Sequence, residues 1–210
     1  MDQIEQGSQE WLELRIGKIT ASRLSDVLAQ GKGSSESLTR KRYKNELIRE
    51  RLTHQKLDGY SNTSMERGTL LEPLARASYE VQHNLMVEQV SFVPHPVISN
   101  AGASPDGLIG DDGLIEIKCP KPENHLEAIL TNGKSLISTY YNQIQWQMAC
   151  TGRKWCDLVS YDPDMIDHLQ LFVTKVLRDD PYIKTMEAEV ITFDQEIIQA
   201  VINLKEKQNG

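Results

Sequence analysis

Ser104-Pro105-Asp106-Gly107-Leu108-Ile109-Gly110-Asp111-Asp112-Gly113-Leu114-Ile115-Glu116-Ile117-Lys118-Cys119 is the stretch whose reading decides the fold. The proline and glycine flanking Asp106 suit a type I bend, after which Leu108 and Ile109 begin an extended run. Gly110-Asp111-Asp112-Gly113 reverses the chain, and Leu114 to Cys119 returns as a strand. A period of two places Glu116 and Lys118 on one face of that strand, with Ile115 and Ile117 on the other. Whether Asp106 joins them depends on register. An even loop pairs it with Ile117, whereas a three-residue loop with Gly113 left-handed in a bulge restores parity. The odd loop is the expectation, and it brings two carboxylates and an ammonium within reach of one divalent ion.

Carboxylate oxygens suit Mg²⁺ or Mn²⁺, hard ions that keep several waters and accept one or two carboxylates together with phosphate oxygens. Such an ion lowers the pKa of water and neutralises charge growing on a phosphorane and on its leaving 3′ oxygen. Lys118 can orient or deprotonate the water or stabilise the transition state, and the residue type does not separate these roles. The set is the minimal equipment of a metal-dependent nuclease. Taken alone, the same string also fits a capped turn followed by a solvent-facing Glu/Lys pair on an edge strand, because so short a pattern recurs by chance.

Three further blocks supply context. Trp11-Leu12-Glu13-Leu14-Arg15-Ile16-Gly17-Lys18-Ile19-Thr20-Ala21-Ser22 stands near the N-terminus, Gly68-Thr69-Leu70-Leu71-Glu72-Pro73-Leu74-Ala75 in the middle, and Tyr141-Asn142-Gln143-Ile144-Gln145-Trp146-Gln147-Met148 later, followed by Tyr161-Asp162-Pro163. With the Ser104 to Pro120 segment, these four blocks resemble, in order, the lambda-type alkaline exonucleases. That group is the YqaJ-like viral recombinase family within the P-D…(D/E)-x-K nucleases.

The resemblance implies an α/β fold with a restriction-endonuclease-like core, a mixed central sheet flanked by helices. It implies a Mg²⁺-dependent enzyme, with Mn²⁺ substituting, that digests linear double-stranded DNA in the 5′-to-3′ direction. Such an enzyme releases 5′-mononucleotides and leaves a 3′ overhang for annealing-type recombination. It further implies metal ligation by Asp106, Glu116 and the Ile117 backbone carbonyl, and catalytic roles for Lys118, Glu72 and Gln143. Arg15, Ser22 and Ser104 are assigned to a 5′-phosphate pocket. DNA ends, a homotrimeric ring and a single-strand annealing protein are the implied partners, in the cytoplasm of a bacterial host, with a phage or prophage origin. One departure stands out: the family's second phosphate-binding arginine falls on Asn124, leaving Lys121 or His125 to substitute.

Each block also has a physical reading. Thr20 and Ser22 precede the helical pattern Leu24, Val27, Leu28, so they can cap that helix and turn its free N–H groups toward an anion, with Arg15 adding a fork of donors. A plain helix cap beside a surface arginine fits equally. Glu72 lies in the apolar pattern Leu70, Leu71, Leu74, Ala75, Tyr79, where Pro73 is tolerated in a first turn. A metal, its water or Arg76 could partner this carboxylate. Gln143 and Gln147, one helical turn apart, could hydrogen-bond water or phosphate, or form a polar surface.

At 210 residues and 39% hydrophobic content the chain reads as one nuclease domain, 1–210, with enough apolar residues for a core. No apolar run is long enough to cross a bilayer, and Met1 to Gln6 lack a basic-then-apolar signal pattern, so the expected location is cytoplasmic. Three cysteines without C-x-x-C spacing, and histidines without H-x-x-x-H spacing, argue against zinc and a disulfide framework. The cysteines read as small buried hydrophobes. A net charge of −7 opposes a general nucleic-acid binder. Arg40-Lys41-Arg42-Tyr43-Lys44 softens that objection as a basic helix that could lie along a phosphate backbone. Two other readings stay open: a structure-specific or restriction-type endonuclease, and a noncatalytic DNA-end-binding module.

Periodicity places helices near 20–29, 37–53, 63–83, 123–131, 138–151 and 181–207, and strands near 86–93, 97–103, 107–110, 113–119, 154–161 and 168–175. The catalytic hairpin is expected at the sheet's centre, and Gly31 to Ser35 is read as a loop beside the DNA entrance.

Overall fold

The computed structural model describes residues 4–31, 33, 35–56 and 63–207. Lys32 and Ser34 of the small-residue loop, and Met1, Asp2 and Gln3 of the N-terminal segment, lie outside the described residues. At the centre of the larger sheet are two almost wholly buried strands, β5 (Gly113–Lys118) and β6 (Trp155–Tyr161), which pair in parallel from Gly113↔Trp155 to Lys118↔Ser160. Parallel strands require a crossover. It is made by α5 (Pro122–Leu130) and α6 (Lys134–Thr151). Both faces of the strand pair are covered, as the alternation dictates. Ile115, Ile117, Val159 and Tyr161 pack on Ala75 and Tyr79 of α4 (Thr63–His83), whereas Leu114, Cys156 and Leu158 pack on Ala128, Ile144 and Met148.

β4 (Gly107–Ile109) and β7 (Leu171–Leu177) flank this pair, giving the order β4-β5-β6-β7. The hairpin is therefore not central. β5 is interior, but β4 is an edge strand whose outer side carries, among the described residues, an isolated bridge from Glu88 to Leu108. A second sheet, order β1-β3-β2, joins Ile19–Thr20 (β1), Ala101–Ala103 (β3) and Val93–Pro94 (β2). The strands expected over 86–93 and 97–103 shrink to these fragments. A third core lies beneath them, with Trp146 packed among α2 (Leu24–Val27), α3 (Leu38–Thr53) and α7 (Asp180–Glu206).

Other elements also differ from expectation. The helix over 20–29 is a 3-10 turn, Ala21–Arg23, followed by the single turn α2, and the Thr20 side chain makes no capping hydrogen bond. A helix absent from the periodicity reading, α1 (Gln9–Leu14), is capped by Ser8 Oγ, which accepts from Trp11 N at 3.2 Å. Pro73 lies inside α4 rather than in its first turn. It is exposed, and burial of Ala75 and Tyr79 to 0% exposure outweighs the roughly 3 kcal/mol that an interior proline costs. All three cysteines are free and buried. No helix among the described residues is long and apolar enough to cross a membrane.

Candidate active site

Register builds the site. Gly107 pairs with Ile115, Leu108 with Leu114 and Ile109 with Gly113, which leaves the three-residue loop Gly110-Asp111-Asp112. One step further back, Asp106 falls opposite Glu116, so the odd parity holds. The left-handed residue, however, is Gly110, at φ +50°, and not Gly113. Position 113 needs glycine for another reason: a Cβ there would meet the Trp155 ring at 2.3 Å. Beyond the last β4 pair, Asp106 Oδ2 accepts from Ile117 N at 2.6 Å. A strand residue's N–H and C=O point to the same edge, so the Ile117 carbonyl lies on the side where β4 has ended.

Glu116 is 2% exposed and fully engaged. Its Oε1 accepts from Gln143 Nε2 at 2.5 Å and lies 2.5 Å from Lys118 Nζ, while Oε2 accepts from Gln147 Nε2 at 2.6 Å. Lys118 Nζ also sits 4.5 Å from the centre of the Tyr140 ring. Burial alone would strip the lysine's proton, but Glu116 and then Asp106 outweigh it and hold the ammonium charged. Asp106 is pushed the opposite way. Burial, then the like charges of Glu116 and Glu72, raise its carboxyl well above the usual carboxylate range.

A cleft of about 530 Å³ opens over this group. Asp106, Glu116 and Lys118 line it, together with Arg15, Trp11, Ser104, Glu72, Tyr140 and Gln143. Gln6 fastens the N-terminal segment here, its Nε2 donating to Val90 O at 2.7 Å and to Pro105 O at 2.8 Å. Helix α1 then sets Trp11 Nε1 to donate to Ser104 Oγ at 3.1 Å, and Arg15 stacks 3.9 Å from the Trp11 ring centre. Burial pulls the Arg15 guanidinium down to about 10, and its Nε is buried with no hydrogen-bond partner among the described residues. An anion would satisfy it.

Among the described residues no group of three or more His, Cys, Asp and Glu side chains is set to hold a metal. Two carboxylates crowded against each other beside a free carbonyl edge nevertheless fit a hard cation. Mg²⁺ takes one or two protein carboxylates and completes its shell with water and substrate oxygens.

A family model described as the YqaJ-like viral recombinase domain matches residues 10–154. The chain belongs to the YqaJ-like viral recombinase family. Among solved structures it is similar to an alkaline exonuclease, LHK-Exo, from Laribacter hongkongensis, at 44% identity and a TM-score of 0.86, covering 96% of this chain and 98% of that one. The crystal structure of LHK-Exo in complex with dAMP matches at 45% identity and a TM-score of 0.87, with the same coverage. A phage related exonuclease from Haemophilus somnus 129PT shares the fold, at 15% identity and a TM-score of 0.71 over 89% of this chain and 96% of that one. No curated protein sequence matches the chain.

Within this YqaJ-like chain the structure separates the candidate residues. Arg15 and Ser104 reach the cleft, whereas Ser22 is exposed outside its lining, 3.5 Å from Thr20 Oγ1. His125 cannot replace the missing arginine at Asn124. It is 0% exposed, with Nδ1 2.8 Å from Ser160 Oγ and Nε2 2.8 Å from Leu169 O. Lys121 is exposed at the N-cap of α5, outside the cleft lining. Arg40 faces α7, ion-paired with Glu36 at 2.6 Å and Glu196 at 2.9 Å and lying over Phe193, so its charge is already neutralised. Lys41 and Arg42 are exposed on the same helix.

Glu72 lines the cleft and pairs with Arg76, one of its candidate partners, one turn away. Burial raises its carboxyl pKa, against the pull of Arg76. Neither Gln143 nor Gln147 is polar surface, because both amides are bound to Glu116. Gln145 is turned away, bridging Leu177 O and Asp179 N. Gln6, Trp11 and Tyr140 join the cleft without any motif that marks them as site residues. For Trp11 the available signal was its place three residues after a capping serine.

Proposed function

We propose that this chain is a divalent-metal-dependent exonuclease, using Mg²⁺ with Mn²⁺ as a substitute, that digests linear duplex DNA from the 5′ end. It releases 5′-mononucleotides and leaves a 3′ overhang. The observation that carries this reading is the meeting of Asp106, Glu116 and Lys118 in one cleft that Arg15 also lines, with Asp106 Oδ2 2.6 Å from Ile117 N and Lys118 Nζ 2.5 Å from Glu116. Membership of a viral recombinase family and likeness to an alkaline exonuclease support it. The dAMP in the LHK-Exo complex is a deoxynucleoside monophosphate, in keeping with mononucleotide release.

Asp106, Glu116 and the Ile117 carbonyl would hold the cation, which when bound polarises the scissile phosphate and activates water. Water attacks phosphorus and the bond to the 3′ oxygen breaks. Lys118 supplies a fixed positive charge beside the reacting group, and Glu72, paired with Arg76, lines the same cleft. Arg15 and Ser104 would seat the terminal phosphate, Ser22 standing further out. Lys41, Arg42 and Lys121 are left as exposed cations for the flanking duplex. A single domain, a homotrimeric ring, a single-strand annealing partner and a cytoplasmic setting complete the proposal on the strength of the family likeness.

The decisive assay compares linear with covalently closed circular duplex, in Mg²⁺ or EDTA. Linear DNA should yield mononucleotides only with Mg²⁺, and circles should stay intact. Cut circles would favour an endonuclease, and no metal-dependent release would favour an end-binding module.

The Arg15 assignment has its own test. A 5′-phosphorylated duplex should be degraded faster than a 5′-hydroxyl duplex by roughly 10- to 100-fold in single turnover, the scale of a hydrogen bond to a charged group. Arg15→Ala should erase the difference. Equal rates on both ends in the parent protein would reduce Arg15 to a surface cation stacked on Trp11.

A further inference from the structure

Glu116 is gripped from two sides, and only one of them faces the cleft. Gln143 and Lys118 reach Oε1 and both line the cleft, so Oε1 is the oxygen turned toward substrate. Oε2 points inward to Gln147 Nε2, and Gln147 is 0% exposed and absent from the cleft lining. Its neighbours on α6, Ile144 and Met148, are equally buried members of the apolar core. A glutamine is a costly residue there. Its own Oε1 is buried without a hydrogen-bond partner among the described residues, a desolvation loss that a methionine of similar size would avoid. Among the described residues, the contact of its N–H with Glu116 is what offsets that loss.

We propose that Gln147 is a positioning residue that pins Glu116 Oε2, so that the carboxylate presents a single, fixed oxygen to the catalytic cation. This rests on Glu116 being a ligand of that cation, as in the proposed function. A carboxylate accepts only, so the amide must turn its N–H toward Oε2 and its carbonyl into the core, the orientation observed. With Oε2 held from behind, the carboxyl plane cannot rotate to chelate through both oxygens. A cation is then bound by one oxygen and keeps positions for water and phosphate. Ligand-orienting groups of this kind typically change metal affinity by about 10- to 100-fold.

The test uses Gln147→Met, which keeps the volume and removes the donor, and Gln147→Asn, whose shorter stem withdraws the amide from Oε2. Mn²⁺ affinity is read by electron paramagnetic resonance without DNA, alongside kcat and KM on linear duplex and the melting temperature in EDTA. Both variants should bind Mn²⁺ about 10- to 100-fold more weakly. They should lose kcat at saturating DNA with KM for DNA unchanged, while remaining cooperatively folded in EDTA with a melting temperature lowered by the unpaired Oε2. Parent-like Mn²⁺ affinity and kcat in either folded variant would overturn the proposal, the asparagine variant deciding if the methionine variant does not fold. A parent protein that neither binds Mn²⁺ nor cleaves would instead overturn the proposed function beneath it.

Discussion

Glu116→Gln and Asp106→Asn should each lower cleavage by roughly 10⁴-fold, about 5 kcal/mol of transition-state stabilisation, while binding of duplex ends persists. The amides are better probes than alanine. Glu116→Ala would orphan three buried donors, on Gln143, Gln147 and Lys118, and so mix catalytic with structural loss. Asp106→Asn keeps an acceptor for Ile117 N and removes only the charge. It also carries a second expected result. Because burial and two neighbouring carboxylates raise the Asp106 pKa in the folded chain, its ionised form is disfavoured by folding. That contribution favours the fold below the ordinary value of 3.8 and is lost as pH rises through the folded-state pKa. In EDTA, Asp106→Asn should therefore melt higher than the parent at neutral pH, with the gap closing toward low pH. An inactive variant that is more stable is the signature of a residue kept for chemistry. Near-parent turnover by either amide variant in saturating Mg²⁺ would remove the pair from the site.

Much of this site was legible because it is local. The reversal between Ile109 and Gly113, the period-two placement of Glu116 and Lys118, and the parity that sets Asp106 opposite Glu116 lie within one hairpin. The error within the hairpin came from a distant residue. Gly113 looked like the left-handed position, but what demands glycine there is the Trp155 ring from the neighbouring strand, which no local pattern reveals. The sheet divided for a similar reason: Ala101–Ala103 pairs with Ile19–Thr20 and Val93–Pro94, a partnership set by long-range docking over the Trp146 core. On α3 the basic run does not act as one surface, because its cations occupy several faces of the helix. Burial against α7 selected Arg40 and Lys44 for Glu36 and Glu196, and left Lys41 and Arg42 outside. His125 offered a titratable group at a suggestive position, yet it is the inward face of α5 that it occupies. Gln147 was visible as one turn beyond Gln143, but its role needs the depth of the carboxylate behind it.

Lys118→Ala should slow the chemical step by roughly 10²- to 10³-fold, about 3–4 kcal/mol, as expected for loss of one fixed group stabilising developing charge. The ammonium is fixed by Glu116 at 2.5 Å and by the Tyr140 ring, and its side chain is only 22% exposed, so water cannot readily take its place. Lys118→Arg should recover little. A planar guanidinium cannot occupy the site of a compact ammonium between a carboxylate and an aromatic face without displacing one of them. The neighbouring carboxylates raise this lysine's pKa above the ordinary 10.5, so it acts as a cation, and no ionisation of Lys118 should shape the rate profile below that value. Metal binding should separate it from Gln147. The ammonium competes with a divalent ion for Glu116 Oε1 and repels it, so Lys118→Ala should bind Mn²⁺ at least as tightly as the parent even while kcat falls. Weaker Mn²⁺ binding in Lys118→Ala, or a rate within about threefold of the parent where loss of such a group typically costs about 10²-fold or more, would mean that the lysine orders the site rather than joining the reaction.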